Sequence, residues 1–491
     1  MPALIGPVTA EQATARRTRV VVLGSGWGAV SFIRSLDPEA FGERGPYELV
    51  VVSPRNYMLY TPLLPSAVGG VVSENSIVES IRKIVGDKGT YYEARVADID
   101  PYNRTLTCVK QFCEVCVARK NSGHTEADHT FSLHYDILLC AVGAMNATFG
   151  IPGVKENCWF LKSMEDASRL RRHISKTLEQ AALPDVTPEA RRAMLSFVVV
   201  GGGPTGVEMA AELHDLVAND VTRHMPQIKD NVSITLVDGM DSLLGSFHKE
   251  IQTYAGEVFQ HSGIKLRLGT KVTAVHEGHI SVQLKDGSMD TVPYGTAIWA
   301  AGIAMHPLVA QLQAACRRAD VSRGLLVDPH LRVLGSQGTI FCLGDAAVTG
   351  AAPQAALPPT AQVARQEGEY LAALLSQTKL AVQPAYSAWP ARSSWPLKSV
   401  DGESQTDVVV LPEGTKPFSY THMGALAYLG DQKGVMDLPV KTPFLKTLRG
   451  HLGGQAWRTL ETFMQISHRT RWLVTHDWLR AALFGRNISN I

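Results

Sequence analysis

The sequence predicts an α/β fold built from two parallel-sheet domains of one design, closed by a C-terminal amphipathic segment. Three observations predict it. Two strand–glycine-turn–helix stretches lie far apart in the chain, a further strand follows each helix, and the ending is basic and rich in aromatics.

At 491 residues the chain is too long for one ordinary core and suits two or three domains. Its 45% hydrophobic and 19% charged residues describe a folded globular protein. A net charge of +1 argues against nucleic-acid binding by the molecule as a whole. Seven irregularly spaced cysteines, an odd number, read as reduced thiols and not as a disulfide framework. No apolar run reaches the length of a membrane-spanning helix. Residues 1–19 carry Arg16, Arg17 and Arg19 against Glu11, faintly like a transit peptide, but they are too short and serine-poor to assign a compartment.

The first stretch is Arg19-Val-Val-Val-Leu23 followed by Gly24, Ser25, Gly26, Trp27, Gly28 and Ala29. A continuous β-branched run marks a strand covered on both faces. Gly24 permits the sharp bend, Gly26 lets a pyrophosphate approach the backbone, and Ala29 lets helix and strand pack closely. The helix N-terminus then offers free N–H groups to phosphate. The next strand ends at Ser53, where an acid usually holds ribose hydroxyls. Ser53 still hydrogen-bonds a hydroxyl, with Pro54 and Arg55 beside it; it would equally serve as a turn cap before Pro54.

The second stretch, Ser196-Phe-Val-Val-Val200, runs into a full G-x-G-x-x-G through Gly201, Gly203 and Gly206, with Pro204 and Thr205 inside it. Its second strand ends at Asp238, an acid placed to accept from both ribose hydroxyls and to repel a 2′-phosphate, so NADH is expected over NADPH. The long spacing from Gly206 to Asp238 is explained by a helix running through His224. Together the two units predict Rossmann-like dinucleotide-binding domains of the glutathione-reductase type, one for FAD and one for a passing nicotinamide. Gly344 and Asp345 end a third short strand where an acid would bind a ribityl chain or merely cap a helix. Gly143, Ala301 and Gly302 follow strand ends that read as crossovers between the domains.

The sequence resembles the type II NADH:quinone oxidoreductases, most closely their plant, algal and fungal branch. The resemblance rests on Ser53-Pro-Arg-Asn-Tyr-Met-Leu-Tyr-Thr-Pro-Leu-Leu-Pro65, which contains Thr61 and Pro62, on Gly201 through Glu208, on Leu357 through Glu367, and on Phe484 through Ile491. It implies hydride transfer from NADH to flavin N5, then two electrons to a membrane quinone. It also implies that Ser53 is an accepted replacement for the acid. Gln362 and Gln366 look like the family's quinone motif: two amides four apart on one helix face can bond a quinone carbonyl, or else simply face solvent. Glu208 stands where the family keeps a glutamate near the nicotinamide. An apolar pocket would raise its pKa and make it a proton carrier; pairing with the helix dipole is the bland alternative.

No cysteine precedes Cys108, so flavin-disulfide chemistry in its usual position is excluded. Cys113 and Cys116, with His124 and His129, are spaced too tightly for the usual zinc finger and read as thiols of an insertion, so no metal is expected. No calcium loop is present. Residues 441–491 carry Lys441, Lys446, Arg449, Arg458, Arg469, Arg471, Arg480 and Arg486 against Glu461 and Asp477, among many aromatic and aliphatic residues. Such helices lie in the headgroup region of a membrane; a homodimer interface or ordinary core packing would use the same face. The expected protein is a peripheral membrane protein of an organelle, mitochondrial inner membrane first and thylakoid second.

The expected order begins with an N-terminal extension (1–18), the first segment of the FAD domain (19–165, with a meander at about 101–135) and the NADH domain (166–310). The second segment of the FAD domain follows (311–376), then a variable linker (377–416) and an anchoring and dimerisation region (417–491). Strands are expected at 418–424 and 425–430. A sulfide:quinone oxidoreductase would need a cysteine pair at the flavin and no intact NADH site. An NADH-responsive flavoprotein of the apoptosis-inducing-factor type would need no quinone-like glutamines.

Overall fold

The computed structural model describes residues 17–110, 130–316, 323–349, 357–377, 381–382, 409–439 and 447–489. Cys113, Cys116, His124 and His129, most of the 377–416 stretch, and residues 441–446 lie outside the described residues. The chain divides into two compact units, Met1–Met58, Ser80–Met145 and Met305–Thr421 in one, Leu59–Glu79, Asn146–Ala304 and His422–Ile491 in the other.

The first unit is organised on a seven-stranded sheet. Its order is Ile340–Cys342, Ile137–Cys140, Thr18–Leu23, Tyr47–Ser53, Gly89–Asp100, Thr105–Lys110 and Thr130–His134. The first five strands are parallel and the last two pair antiparallel. Val20, Val21 and Val22 are fully buried at its centre, as a strand covered on both faces requires. The strand order reverses at Thr18–Leu23, whose two neighbours are reached by connections running in opposite directions across the sheet. The crevice at the carboxyl ends of such strands is where ligands bind in open α/β sheets.

The helices Trp27–Ser35 and Ala361–Gln377 pack against each other in this unit. A Cβ on Gly368 would strike the Gly28 carbonyl oxygen, and one on Gly28 would strike the Leu343 side chain. Glycine at both positions lets the two backbones approach and sets the glutamine-bearing helix directly on the helix of the first glycine turn.

The second unit holds a five-stranded parallel sheet ordered Trp159–Phe160, Thr296–Trp299, Ser196–Val200, Ser233–Val237 and Lys265–Arg267. An antiparallel sheet of Lys271–His276, His279–Gln283 and Met289–Pro293 shares its core through Val198, Val200, Ile280 and Val282. A third sheet, Ala425–Gly430, Lys433–Asp437 and Thr447–Gly450, leads to helices His451–Phe463 and His468–Phe484. The last helix starts with a Ser467/Thr470 capping box.

Two expectations need correction, and a third holds with a refinement. Residues 418–424 form no strand: Phe418 N–H donates to the Pro329 carbonyl (2.8 Å) and Thr421 bonds a glutamine side chain, so their backbone groups are taken by a loop and a helix. The helix after the second glycine turn does run to His224, but as Pro204–Asp215, a π-helical turn Leu216–Val221, and Thr222–His224. Finally, Arg486 is no surface cation. Its side chain is only 10% exposed and sits among Glu212, Asp215 and Asp220. Trp457, in the same basic, aromatic-rich tail, is likewise a core residue.

Candidate functional site

In the first unit every proposed nucleotide residue lies at or just after the carboxyl end of a parallel strand. Gly24 has φ +110°, and a Cβ there would press on the Ala141 carbonyl. Gly26 caps the helix Trp27–Ser35, and a Cβ there would meet nothing within 4 Å. The turn is therefore closed on its inner side and open on its outer side. Trp27 begins the helix, and Ala29 is fully buried beneath it. Ser53 is buried and donates to the Ser25 hydroxyl (2.9 Å), while its own Oγ accepts from the Arg55 N–H (3.2 Å). Pro54 and Arg55 are exposed beside it. Gly143 (φ +67°) is open, and Gly344 (φ +69°) precedes half-buried Asp345 in a 3₁₀ turn.

The Gly344 N–H donates to Glu367 (2.5 Å), a buried carboxyl that the sequence did not single out. Burial raises its pKa to about 8, helped by the Asp345 charge and opposed by that hydrogen bond. Thr61 and Pro62 start a 3₁₀ turn, Thr61–Leu63, that belongs to the second unit.

The second glycine turn repeats the design. Gly201 (φ +117°) would press a Cβ onto Ala300, Gly206 would press one onto the Gly201 carbonyl, and Gly203 is open. Pro204 occupies the first helical turn, where its missing N–H costs nothing, and Thr205 follows. The Asp238 carboxylate accepts from the Gly202 N–H with one oxygen and from the Met240 N–H (2.5 Å) with the other. It is thereby fixed at the strand end beside the turn. Ala301 and Gly302 follow Trp299, whose indole N–H donates to the Ala147 (2.8 Å) and Ala301 (2.9 Å) carbonyls. Both helix starts thus present an open glycine at a helix N-terminus, whose dipole favours negative charge, which fits one pyrophosphate each.

Glu208 is fully enclosed in the second unit. One oxygen accepts from the Tyr428 N–H (3.1 Å) and the Trp457 indole (3.2 Å). Burial first, then the charge of Glu461, hold its pKa well above the ordinary range despite those bonds. Glu461 is also buried. It accepts from the Tyr60 hydroxyl (2.8 Å), and burial raises its pKa from 4.5 to about 7. The sequence named only one member of this pair.

Glu461→Gln keeps an acceptor for Tyr60 and removes the titration. A carboxyl with a higher pKa folded than unfolded gives stability that is full below its unfolded pKa and lost as pH rises through the folded one. The native chain is therefore expected to lose on the order of 3 kcal/mol relative to E461Q between pH 4 and pH 8. Urea denaturation across that range measures it; parallel curves would show that Glu461 does not titrate there.

Gln362 and Gln366 share one face of the Ala361–Gln377 helix, as the i, i+4 spacing requires. Both meet the segment Tyr420 and Thr421.

Residues 18–368 match the family model Pyridine nucleotide-disulphide oxidoreductase, and residues 422–487 match NDH2 C-terminal domain. The chain is 37% identical to the External alternative NADH-ubiquinone oxidoreductase, mitochondrial, of Yarrowia lipolytica, over 96% of this chain and 80% of that one. It is 32% identical to the External alternative NAD(P)H-ubiquinone oxidoreductase B2, mitochondrial, of Arabidopsis thaliana, over 97% and 90%. The solved NDH2 of Plasmodium falciparum in complex with NADH superposes with a TM-score of 0.80 at 25% identity, over 96% of this chain and 100% of that one. The sulfide:quinone oxidoreductase of Aquifex aeolicus shares the fold, at 15% identity and a TM-score of 0.62 over 95% and 96%. On these grounds, the chain belongs to the alternative, type II NADH–ubiquinone oxidoreductases, within the pyridine nucleotide-disulphide oxidoreductase family.

Proposed function

We propose that the chain is an FAD-dependent, non-electrogenic NADH:quinone oxidoreductase. The overall reaction balances as NADH, quinone and one proton giving NAD⁺ and quinol. Bound FAD supplies a two-electron relay between the two substrates. Gly24, Ser25, Gly26, Trp27, Gly28, Ala29, Ser53, Arg55, Gly143, Gly344 and Asp345 would hold it. Pro54, Thr61 and Pro62 are assigned to the same role from the family resemblance. Gly201, Gly203, Pro204, Thr205, Gly206, Asp238, Ala301 and Gly302 would hold NADH. Glu208 would hold a proton, which burial beside Glu461 favours. Gln362 and Gln366 mark the quinone site.

The observation that carries this reading is the close packing of Gly28 on Gly368, which seats the glutamine helix on the helix of the first glycine turn. A quinone at those glutamines is therefore next to the fold's first nucleotide cradle. Gln362→Ala is expected to lower kcat/KM for a short-chain quinone at least about tenfold while NADH still bleaches the flavin at the native rate. Equal loss of both half-reactions would contradict the assignment.

The sulfide:quinone alternative is less supported. It gives no use to Asp238 and the second glycine turn, and Cys140 and Cys342 are buried as free thiols inside the first sheet. The interaction-protein alternative has no use for the paired glutamines.

Quinones live in lipid, and the two C-terminal helices offer a docking face. Trp472, Leu479 and Leu483 recur at helical spacing and are exposed, and Leu452 and Phe463 lie about three turns apart on the preceding helix, also exposed. Arg458, Arg471 and Arg480 stand among them. Among the described residues no helix is long and apolar enough to cross a membrane. The reading is a peripheral protein of an organelle membrane, the mitochondrial inner membrane before the thylakoid, with homodimerisation as a second use of the same region. Changing Trp472, Leu479 and Leu483 together to serine is expected to reduce pelleting with anionic vesicles by about 100-fold. Unchanged pelleting would refute docking through this face.

A further inference from the structure

Phe149 belongs to the second unit and combines two unfavourable features. Its backbone has φ +52°, in the left-handed region that a bulky side chain rarely enters. Its ring is 66% exposed, so burial of the side chain does little to offset that strain. Strain of this kind persists only where the surroundings fix the chain, and it gathers where ligands are clamped.

The surroundings do fix it. The Trp299 indole N–H donates to both the Ala147 (2.8 Å) and Ala301 (2.9 Å) carbonyls, and the Ala147 N–H donates to the Gly302 carbonyl (3.3 Å). The Thr148 carbonyl accepts from the Ile151 N–H (2.9 Å), which closes the turn that carries Phe149. The tip of the ring reaches Gly302, where a Cβ would collide with its Cζ and Cε2 atoms. Gly302 also has φ +72°, so both its conformation and its neighbour demand glycine.

The strand order tells which half of a dinucleotide lies there. Thr296–Trp299 and Ser233–Val237 flank Ser196–Val200 on opposite sides. The pyrophosphate of a dinucleotide sits on the glycine turn after the middle strand, and the acid after the next strand, here Asp238, takes the adenosine ribose. The other half of the molecule then runs over the carboxyl end of Thr296–Trp299. Residues 300–302 follow that strand and adjoin the glycine turn, since a Cβ on Gly201 would press on Ala300 and Ala301. The ring resting on Gly302 therefore stands at the nicotinamide end of the crevice. A phenyl ring offers the flat nicotinamide apolar contact in either redox state, and attracts its positive charge in NAD⁺.

We infer that Phe149 contacts the substrate: its ring packs on the nicotinamide of the bound dinucleotide and sets that end of the molecule over Gly302. The inference rests on the NADH cradle proposed above.

Calorimetric titration of the purified protein carrying FAD, with NAD⁺ and with ADP-ribose, tests it. Neither ligand reduces the flavin, and ADP-ribose keeps the adenosine and pyrophosphate but lacks the nicotinamide. Phe149→Ala and Phe149→Gly are each expected to weaken NAD⁺ binding about tenfold and ADP-ribose binding less than about twofold. Phe149→Tyr, which keeps the ring, is expected to bind both ligands like the native protein. Native NAD⁺ affinity in the variants that lack the ring would overturn the inference. So would an equal loss of both ligands, which would make Phe149 a support of the whole cradle. A native protein that bound neither ligand would refute the NADH site itself, a different outcome from the previous two. Should the alanine variant fail to fold, the glycine variant decides alone, because glycine takes φ +52° without strain.

Discussion

Replacing Arg486 by methionine is expected to destabilise the second unit by about 3–5 kcal/mol, the cost of leaving buried carboxylates without their counter-charge. The guanidinium donates to Glu212 (2.6 Å), reaches Asp215 (3.4 Å) and Asp220 (3.4 Å), and also bonds the Gly69 carbonyl (3.1 Å). Glu212 and Asp215 have side chains 3% and 4% exposed, so water cannot take over. Burial pushes the Asp215 carboxyl up, but hydrogen bonds from His214 and Tyr428 and the Arg486 charge outweigh it and hold its pKa below the ordinary value.

The sign of the pH dependence follows. A carboxyl with a depressed folded pKa gives stability present above its unfolded pKa and lost as pH falls through the folded one. Without Arg486 that depression weakens and burial dominates. The deficit of the variant is therefore largest near pH 7 and shrinks below about pH 4, where the carboxyls take up protons. Urea denaturation of both proteins at several pH values measures it. A deficit that did not change with pH would mean that Arg486 acts by packing alone.

Asp238→Ser is expected to lower kcat/KM for NADH about 100-fold and to erase most of the preference over NADPH. The carboxylate is fixed by the Gly202 and Met240 N–H groups, and each oxygen keeps a lone pair for a ribose hydroxyl. The same charge repels a 2′-phosphate, so removing it costs NADH affinity and relieves the penalty on NADPH together. Steady-state rates with both nucleotides read the two effects at once. A variant that kept its preference for NADH would place the ribose elsewhere.

The regions of this molecule that were legible in the sequence are those built from consecutive residues. A buried strand, a glycine turn and a helix N-terminus occupy neighbouring positions, so Gly24 to Ala29 and Gly201 to Gly206 declared their geometry locally. The i, i+4 glutamines did the same for one helix face. What stayed hidden depends on residues distant in the chain. Glu208 meets Trp457 across 249 positions and Tyr60 meets Glu461 across 401, and no local pattern announces either contact. Gly368 is one more glycine until Gly28 lies against it. Arg486 reads as one more basic residue of a membrane-facing tail, because charge alone does not reveal the carboxylates waiting on another helix. Residues 418–424 resemble a strand in their residue types, but Phe418 and Thr421 spend their backbone hydrogen bonds on the Pro329 carbonyl and the Gln366 side chain.

A chain that passes two electrons from NADH through a bound flavin to a quinone has to cycle that flavin between its oxidised and reduced forms. Anaerobic mixing of the purified protein, carrying FAD, with one equivalent of NADH tests this directly by flavin absorbance. The predicted result is bleaching within the turnover time, then full return of the yellow oxidised spectrum on adding a short-chain quinone. A flavin that NADH left yellow, or one that stayed bleached after quinone was added, would contradict it.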